Sequence, residues 1–191
     1  MVMSKIAMKQ AKVRYNYNDY LLLPEDKHYE ILDGELYMVA APNTKHQRVS
    51  IRLVVALLQH VEQKDLGEIF HAPCDVLLSD ENVVQPDILF VRKERAGIIK
   101  EANLQGAPDL VVEILSPGTR SKDLELKRKA YARFGVQEYW IVDPEADTVE
   151  VLVWNELGYV TAGVYAKADR LSSPLLPELN LPLSKIFAQE V

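Results

Sequence analysis

At 191 residues, with 48% hydrophobic and 26% charged side chains, the chain reads as one soluble globular domain with a core of its own. A net charge of -6 excludes indiscriminate coating of nucleic acid, although a local basic patch could still bind it. The single cysteine, Cys74, excludes an internal disulfide and fits a reducing compartment, and no apolar run approaches the ~20 residues of a membrane span, so the cytoplasm is expected.

The opening stretch, MVMSKIAMKQAKVRYN, lacks the apolar segment of a secretory signal. Its lysines and lack of acids predict a flexible tail over residues 1–16, ahead of one domain over 17–191. Asn18-Asp19, followed by Tyr20 to Leu23 and Pro24, predicts a short capped helical segment ending at the proline. HYEIL, then Asp33-Gly34, then ELYMVA marks a two-residue hairpin. Glu30 and Glu35 flank that turn. Glu35 is expected to face water on an edge strand, and Glu30 is evenly balanced between water and a site.

After Pro42, Asn43 or Thr44 can cap a helix from about His46 to Gln63. Val49, Leu53, Leu57 and Val61 form its spine, with Val54 and Leu58 beside it, so it should lie against a sheet. Asp65-Leu66-Gly67 stops it. His46, in its first turn, is expected to be a surface or hydrogen-bonded residue, with a functional role open. His28, His60 and His71 share no metal-ligand spacing.

Glu68–Leu78 and Val83–Val91 are strand-like runs around a turn at residues 79–82. Pro86-Asp87 interrupts the second, whose strand should restart at Asp87 or Ile88. Asp87, Leu89 and Val91 then share a face, and an acid heads the very apolar run ILFV. Arg92–Gln105 reads as a charged, mobile connection with room for a helical turn.

The stretch Ala107–Asp143 predicts a strand, a Ser-Pro-Gly turn, a helix and a second strand. Alternation places Asp109, Val111 and Glu113 on one face and Leu110, Val112 and Ile114 on the other. Glu113 is therefore a carboxylate in a strand covered on both sides, costly unless paired. In the helix, Leu124, Tyr131 and Phe134 form an apolar stripe, and Lys127 lies inside it. Lys122, Lys129 and Arg133 cluster on the opposite side, with Arg120 and Arg128 nearby. That face can contact phosphates or simply be solvated.

Beyond Asp143, TVEVLVW and GYVTAGVY predict a meander with YWIVD. The proline-broken tail, SSPLLPELNLPLSKIF, is expected to wrap the outside. Trp140 and Trp154 read as core or interface residues. Ser116 has no nearby histidine to make it a nucleophile.

Asp87, Glu113 and Lys127 can converge on one point. Two neighbouring carboxylates repel as anions, and a cation between them resolves the repulsion. Oxygen ligands suit Mg2+ or Mn2+ rather than zinc. Such a metal can polarise a phosphodiester oxygen, and a nearby ammonium can orient water or offset developing charge. The competing explanation is a buried Glu113–Lys127 ion pair with a structural role only.

Pro86-Asp87, Glu113 and a helix carrying Lys127 resemble the PD-(D/E)XK nuclease superfamily. The blocks YEILDGEL, PDILFV, PDLVVEILSP, KDLELKRKAYARFGVQEYWIVDP and LLPELNLPLSKIF resemble one branch of it, from about Tyr17 to Phe187. That branch is the restriction-endonuclease-like family long grouped with bacterial proteins of unknown function. The resemblance implies an α/β fold, a restriction-endonuclease-like mixed sheet flanked by helices with an N-terminal β-hairpin. It also implies metal-dependent DNA cleavage with Mg2+ or Mn2+, and a homodimer. Asp87 and Glu113 match the metal-binding acids, and Glu30 matches an N-terminal glutamate that completes the site. The superfamily's lysine, expected two residues after Glu113, is Leu115 here, and Lys127 on the helix takes its place. The alternative is a catalytically idle nucleic-acid-binding or protein-interaction module with the same fold.

Overall fold

The computed structural model describes residues 13–24, 26–116 and 123–188. Residues 1–12 of the expected tail, Pro117 to Thr119 of the turn, and the basic residues Arg120 and Lys122 lie outside the described residues.

The first helix, α1 (Tyr17–Tyr20), is capped by Asn16, two residues before the Asn18-Asp19 pair: Asn16 accepts from the amides of Asn18 and Asp19, and Asp19 accepts from the Asn16 amide. β1 (His28–Leu32) and β2 (Glu35–Val39) form the expected hairpin. Asp33 and Gly34 both take positive φ, 51° and 74°, which is why an Asp-Gly pair suits this turn. Glu35, on the edge strand, is half-buried and accepts from the Tyr37 hydroxyl. Helix α2 (Thr44–Gln63) starts at the Asn43 cap, and its spine is buried as predicted.

Next come β3 (Gly67–His71), β4 (Val76–Ser79), β5 (Asn82–Val84) and β6 (Ile88–Arg92). A 3-10 turn over Lys93–Ile98 leads to β7 (Leu104–Gln105) and the central β8 (Leu110–Ile114). A π-helical turn over Asp123–Lys127 runs into α3 (Arg128–Phe134), which Gly135 ends in the left-handed region. The meander β9 (Glu138–Asp143), β10 (Thr148–Asn155) and β11 (Gly158–Ala166) follows. The chain closes with β12 (Arg170–Leu171), β13 (Leu181–Pro182) and α4 (Leu183–Ile186).

The larger sheet has the order β11-β10-β9-β8-β6-β3, and the smaller β2-β1-β5-β4-β7. In the larger sheet β8 and β9 are parallel, joined through α3, and the other neighbours are antiparallel. The alternation read in β8 separates two cores. Leu110, Val112 and Ile114 pack with the α2 spine, while Val111 joins Leu89, Val91, Ala130 and Tyr131 on the other side. Each fully buried aliphatic side chain contributes about 1.5–3 kcal/mol of transfer free energy, so both faces hold the sheet in place.

Three expectations need correction. Glu68–Leu78 is not one strand: it breaks at the cis Ala72–Pro73 bond, and its halves, β3 and β4, belong to different sheets. Pro73 has no amide to donate to a ladder, so pairing cannot run through it. The Pro86-Asp87 interruption likewise separates β5 from β6, which starts at Ile88. The connection after β6 is built rather than loose, because β7 pairs with β4 and Arg95 reaches Asp109. The tail is part of the core: Leu171, Leu176, Leu183 and Ile186 are buried against the α2 layer, and Arg52 donates to the Ile186 and Ala188 carbonyls. Prolines prevent a long ladder there without preventing side chains from being buried.

Trp140 is fully buried, whereas Trp154 is partly exposed and donates to the Ala132 carbonyl. No described helix is long and apolar enough to cross a membrane.

Candidate functional site

β6 and β8 pair with Ile88 opposite Val112. Carrying that register one residue further sets Asp87 opposite Glu113. Like charges at such facing positions destabilise a sheet unless something intervenes. Glu113 is 3% exposed, and the Lys127 ammonium lies 2.9 Å from its Oε1. The same Nζ is 2.7 Å from Glu30 Oε1, so one lysine bridges two buried acids on different sheets. Lys127 ends the π-helical turn, a local widening of the helix that is frequent at functional sites.

Tyr131 follows Lys127 by four residues and therefore shares its helix face. Its hydroxyl donates to Glu113 Oε1 at 2.6 Å. Burial pushes the Tyr131 pKa well above the usual phenol value, and the Glu113 and Glu30 carboxylates push it further, so the hydroxyl stays a neutral donor. Glu30 is fully buried and also accepts the Gln85 amide at 3.1 Å.

Asp87 has a more open position, with its side chain 19% exposed. Its Oδ2 accepts from the Ile114 amide at 2.7 Å and lies 3.2 Å from His46 Nε2. Its Oδ1 has no hydrogen-bond partner among the described residues. Asp87, Glu113, Lys127 and His46 all line one cleft of about 380 Å³, with Pro42, Ile51 and Val54 among its apolar residues.

Of the residues singled out from sequence, Asp87, Glu113 and Lys127 meet at this cleft. Glu30 joins them from behind: it touches Lys127 but is not among the lining residues. His46, Tyr131 and Gln85 were not assigned to the site. The i+4 spacing of Lys127 and Tyr131 was a usable signal for one of them. The basic face is less available than expected. Lys129 is exposed, but Arg133 donates to Asp33 at 2.6 Å and to Asn82 Oδ1 at 3.2 Å, and lies over the Phe134 ring.

Among the described residues, Glu30 and Glu113 share the Lys127 ammonium and Asp87 faces Glu113 across the paired strands, and acids gathered in this way favour a cation between them. Among the described residues, no three His, Cys, Asp or Glu side chains gather to hold a metal. From the described residues a cation here would take at most two carboxylates. Zinc, which needs three or four protein ligands, does not fit, whereas Mg2+ and Mn2+ accept one or two carboxylates and complete their shells with other oxygens.

The sequence model of the Uma2 family, described as "Putative restriction endonuclease", matches residues 17–184. An uncharacterized protein from Synechocystis sp. is 28% identical over 148 residues, covering 76% of each chain. The crystal structure of a "putative nuclease belonging to DUF820" from Anabaena variabilis is similar with a TM-score of 0.76 and 23% identity, covering 91% of this chain and 97% of that one. That likeness shows the fold, the mixed α/β architecture expected from the sequence.

Proposed function

The chain belongs to the Uma2 family of restriction-endonuclease-like proteins, and on that premise we propose that it is a metal-dependent endonuclease that hydrolyses DNA phosphodiester bonds. One observation carries this reading beyond the family: Lys127 reaches Glu113 at the same cleft into which Asp87 faces. An ion pair for stability alone accounts for Lys127 and Glu113. It gives no reason for a further acid on the neighbouring strand with one oxygen unpartnered among the described residues.

Asp87, through Oδ1, and Glu113 would hold Mg2+ or Mn2+. When bound, the ion polarises a phosphodiester oxygen and neutralises charge as a Lewis acid. The chain's own groups supply the rest. Glu30 and Glu113 hold the Lys127 ammonium beside the cleft, where it orients the attacking water and offsets charge developing on the phosphate. Tyr131 fixes the orientation of Glu113 by donating to Oε1. The Ile114 amide fixes Oδ2 of Asp87. Glu30 acts through Lys127 rather than on the substrate. A homodimer would bring two such clefts to the two strands of a duplex.

Nicking of supercoiled plasmid in Mg2+ or Mn2+ tests this reading. Asp87→Ala and Glu113→Ala should each lower the rate by about 10²–10³-fold or more, the scale of losing a charge-stabilising group, while circular dichroism shows a folded chain. Either variant cutting as fast as the parent would falsify the assignment. A parent that binds DNA but cuts in neither metal would favour the idle binding module instead.

A further inference from the structure

His46 is the third residue of α2, and its amide donates to Asn43 Oδ1 at 2.9 Å. The cap fixes the start of the helix and with it the origin of the His46 side chain. The residue is 7% exposed, and its ring reaches from the helix layer to the end of the sheet, with Nε2 at 3.2 Å from Asp87 Oδ2. A carboxylate only accepts, so Nε2 carries the hydrogen and donates. The Ile114 amide donates to the same oxygen at 2.7 Å. An aspartate carboxylate can turn about its terminal torsion and present either oxygen. Two donors on Oδ2 remove that freedom and leave Oδ1 for the cleft.

We propose that His46 is a positioning residue of the cation site. By donating to Oδ2 it holds Asp87 with Oδ1 toward the cleft, and so tightens the binding of Mg2+ or Mn2+. The inference rests on the metal-dependent reading of the site and assigns His46 no contact with the ion. Carboxylates that ligate metals are themselves held by hydrogen bonds, and losing such a partner weakens metal binding by about 10–100-fold. A ring that merely fills space between α2 and β6 would affect folding but not cation affinity.

Calorimetric titration of Mn2+ into the full chain, without DNA, separates the two. The parent should bind saturably and Asp87→Ala should lose that binding. His46→Leu, which keeps bulk without a donor, should bind about 10–100-fold more weakly, and His46→Gln, which keeps an N–H at similar reach, should recover most of the affinity. Saturable binding lost in Asp87→Ala but unchanged in His46→Leu would overturn the role of His46 and leave the metal site standing. A parent that binds no Mn2+ would overturn both. If His46→Leu does not fold, His46→Gln and His46→Asn replace it: tight binding by glutamine alone supports the proposal, and equal binding by both overturns it.

Discussion

Asp109, just ahead of β8, and Glu113, near its end, are buried acids on one face of the strand with Val111 between them. Asp109 is fully buried and accepts the Arg92 amide at 2.9 Å; the Arg95 guanidinium lies 3.0 Å away and the Arg92 side chain 3.8 Å. Two partly exposed cations meet one acid, whose charge is more than offset. At the other end of the strand Glu30, Glu113 and Asp87 gather at one place, the first two on the ammonium of Lys127. A buried acid in a strand is therefore a sign of cost and not yet of chemistry. Acids that face one another at a cleft repel and favour a cation between them, whereas an acid set between two guanidinium groups has no such need.

Removing the cation from the acid-rich end is the harshest way to probe that contrast. Lys127→Met leaves Glu30 and Glu113 buried without their shared partner, and breaking a buried pair in this way costs about 3–5 kcal/mol. Urea unfolding should show that loss, and plasmid nicking should disappear with it. A loss below about 1 kcal/mol would mean that the two carboxylates were never both charged. The matched end should respond in the opposite pattern. Asp109→Asn keeps an acceptor for the Arg92 amide but removes the charge that Arg95 meets, at a cost of about 1–3 kcal/mol. Its nicking rate per folded molecule should equal that of the parent. A fall like that of Glu113→Ala would erase the distinction between the two ends.

How much of this was legible depends on how local each contact is. The alternation of a strand and the 3.6-residue period of a helix are set within a few residues, so Glu113 and Lys127 could be aimed at each other from sequence. The Asp-Gly turn was legible for the same reason. Asp87 joins them only through the β6–β8 register, which no local period encodes; the sequence marks it as an acid heading an apolar run, and the family resemblance matches it to a metal-binding acid. Glu30 comes from the other sheet, so its alternation could not say whether it faced water or the site. His46 was harder still, because it requires the direction of α2 across the sheet. Arg133 was correctly placed away from the sheet, yet the hairpin carrying Asp33 meets that side of the helix. The tail was misread because it is buried through single leucines between prolines, with no period to follow.

A third buried acid sharpens the comparison through pH. Glu138 is 1% exposed and meets no cation among the described residues; it accepts from Trp140 Nε1 and Ser173 Oγ at 2.6 Å each and from the Leu175 amide at 2.9 Å. Burial pushes its carboxyl up from the usual 4.5, and these three hydrogen bonds draw it only part of the way back. An acid with a raised folded pKa favours the folded state when protonated. Its contribution is full below the unfolded value and is lost as pH rises through the folded one. Glu138→Gln cannot titrate, and any change in hydrogen-bond quality adds a constant at every pH. The variant's stability relative to the parent should therefore improve from below pH 4.5 to neutrality, in urea melts at matched ionic strength. The opposite trend would mean that the donors around Glu138 outweigh its burial. Nicking should be unaffected, because Glu138 is not among the residues lining the cleft, and its neutral donors turn the cost of this acid into a pH dependence of folding.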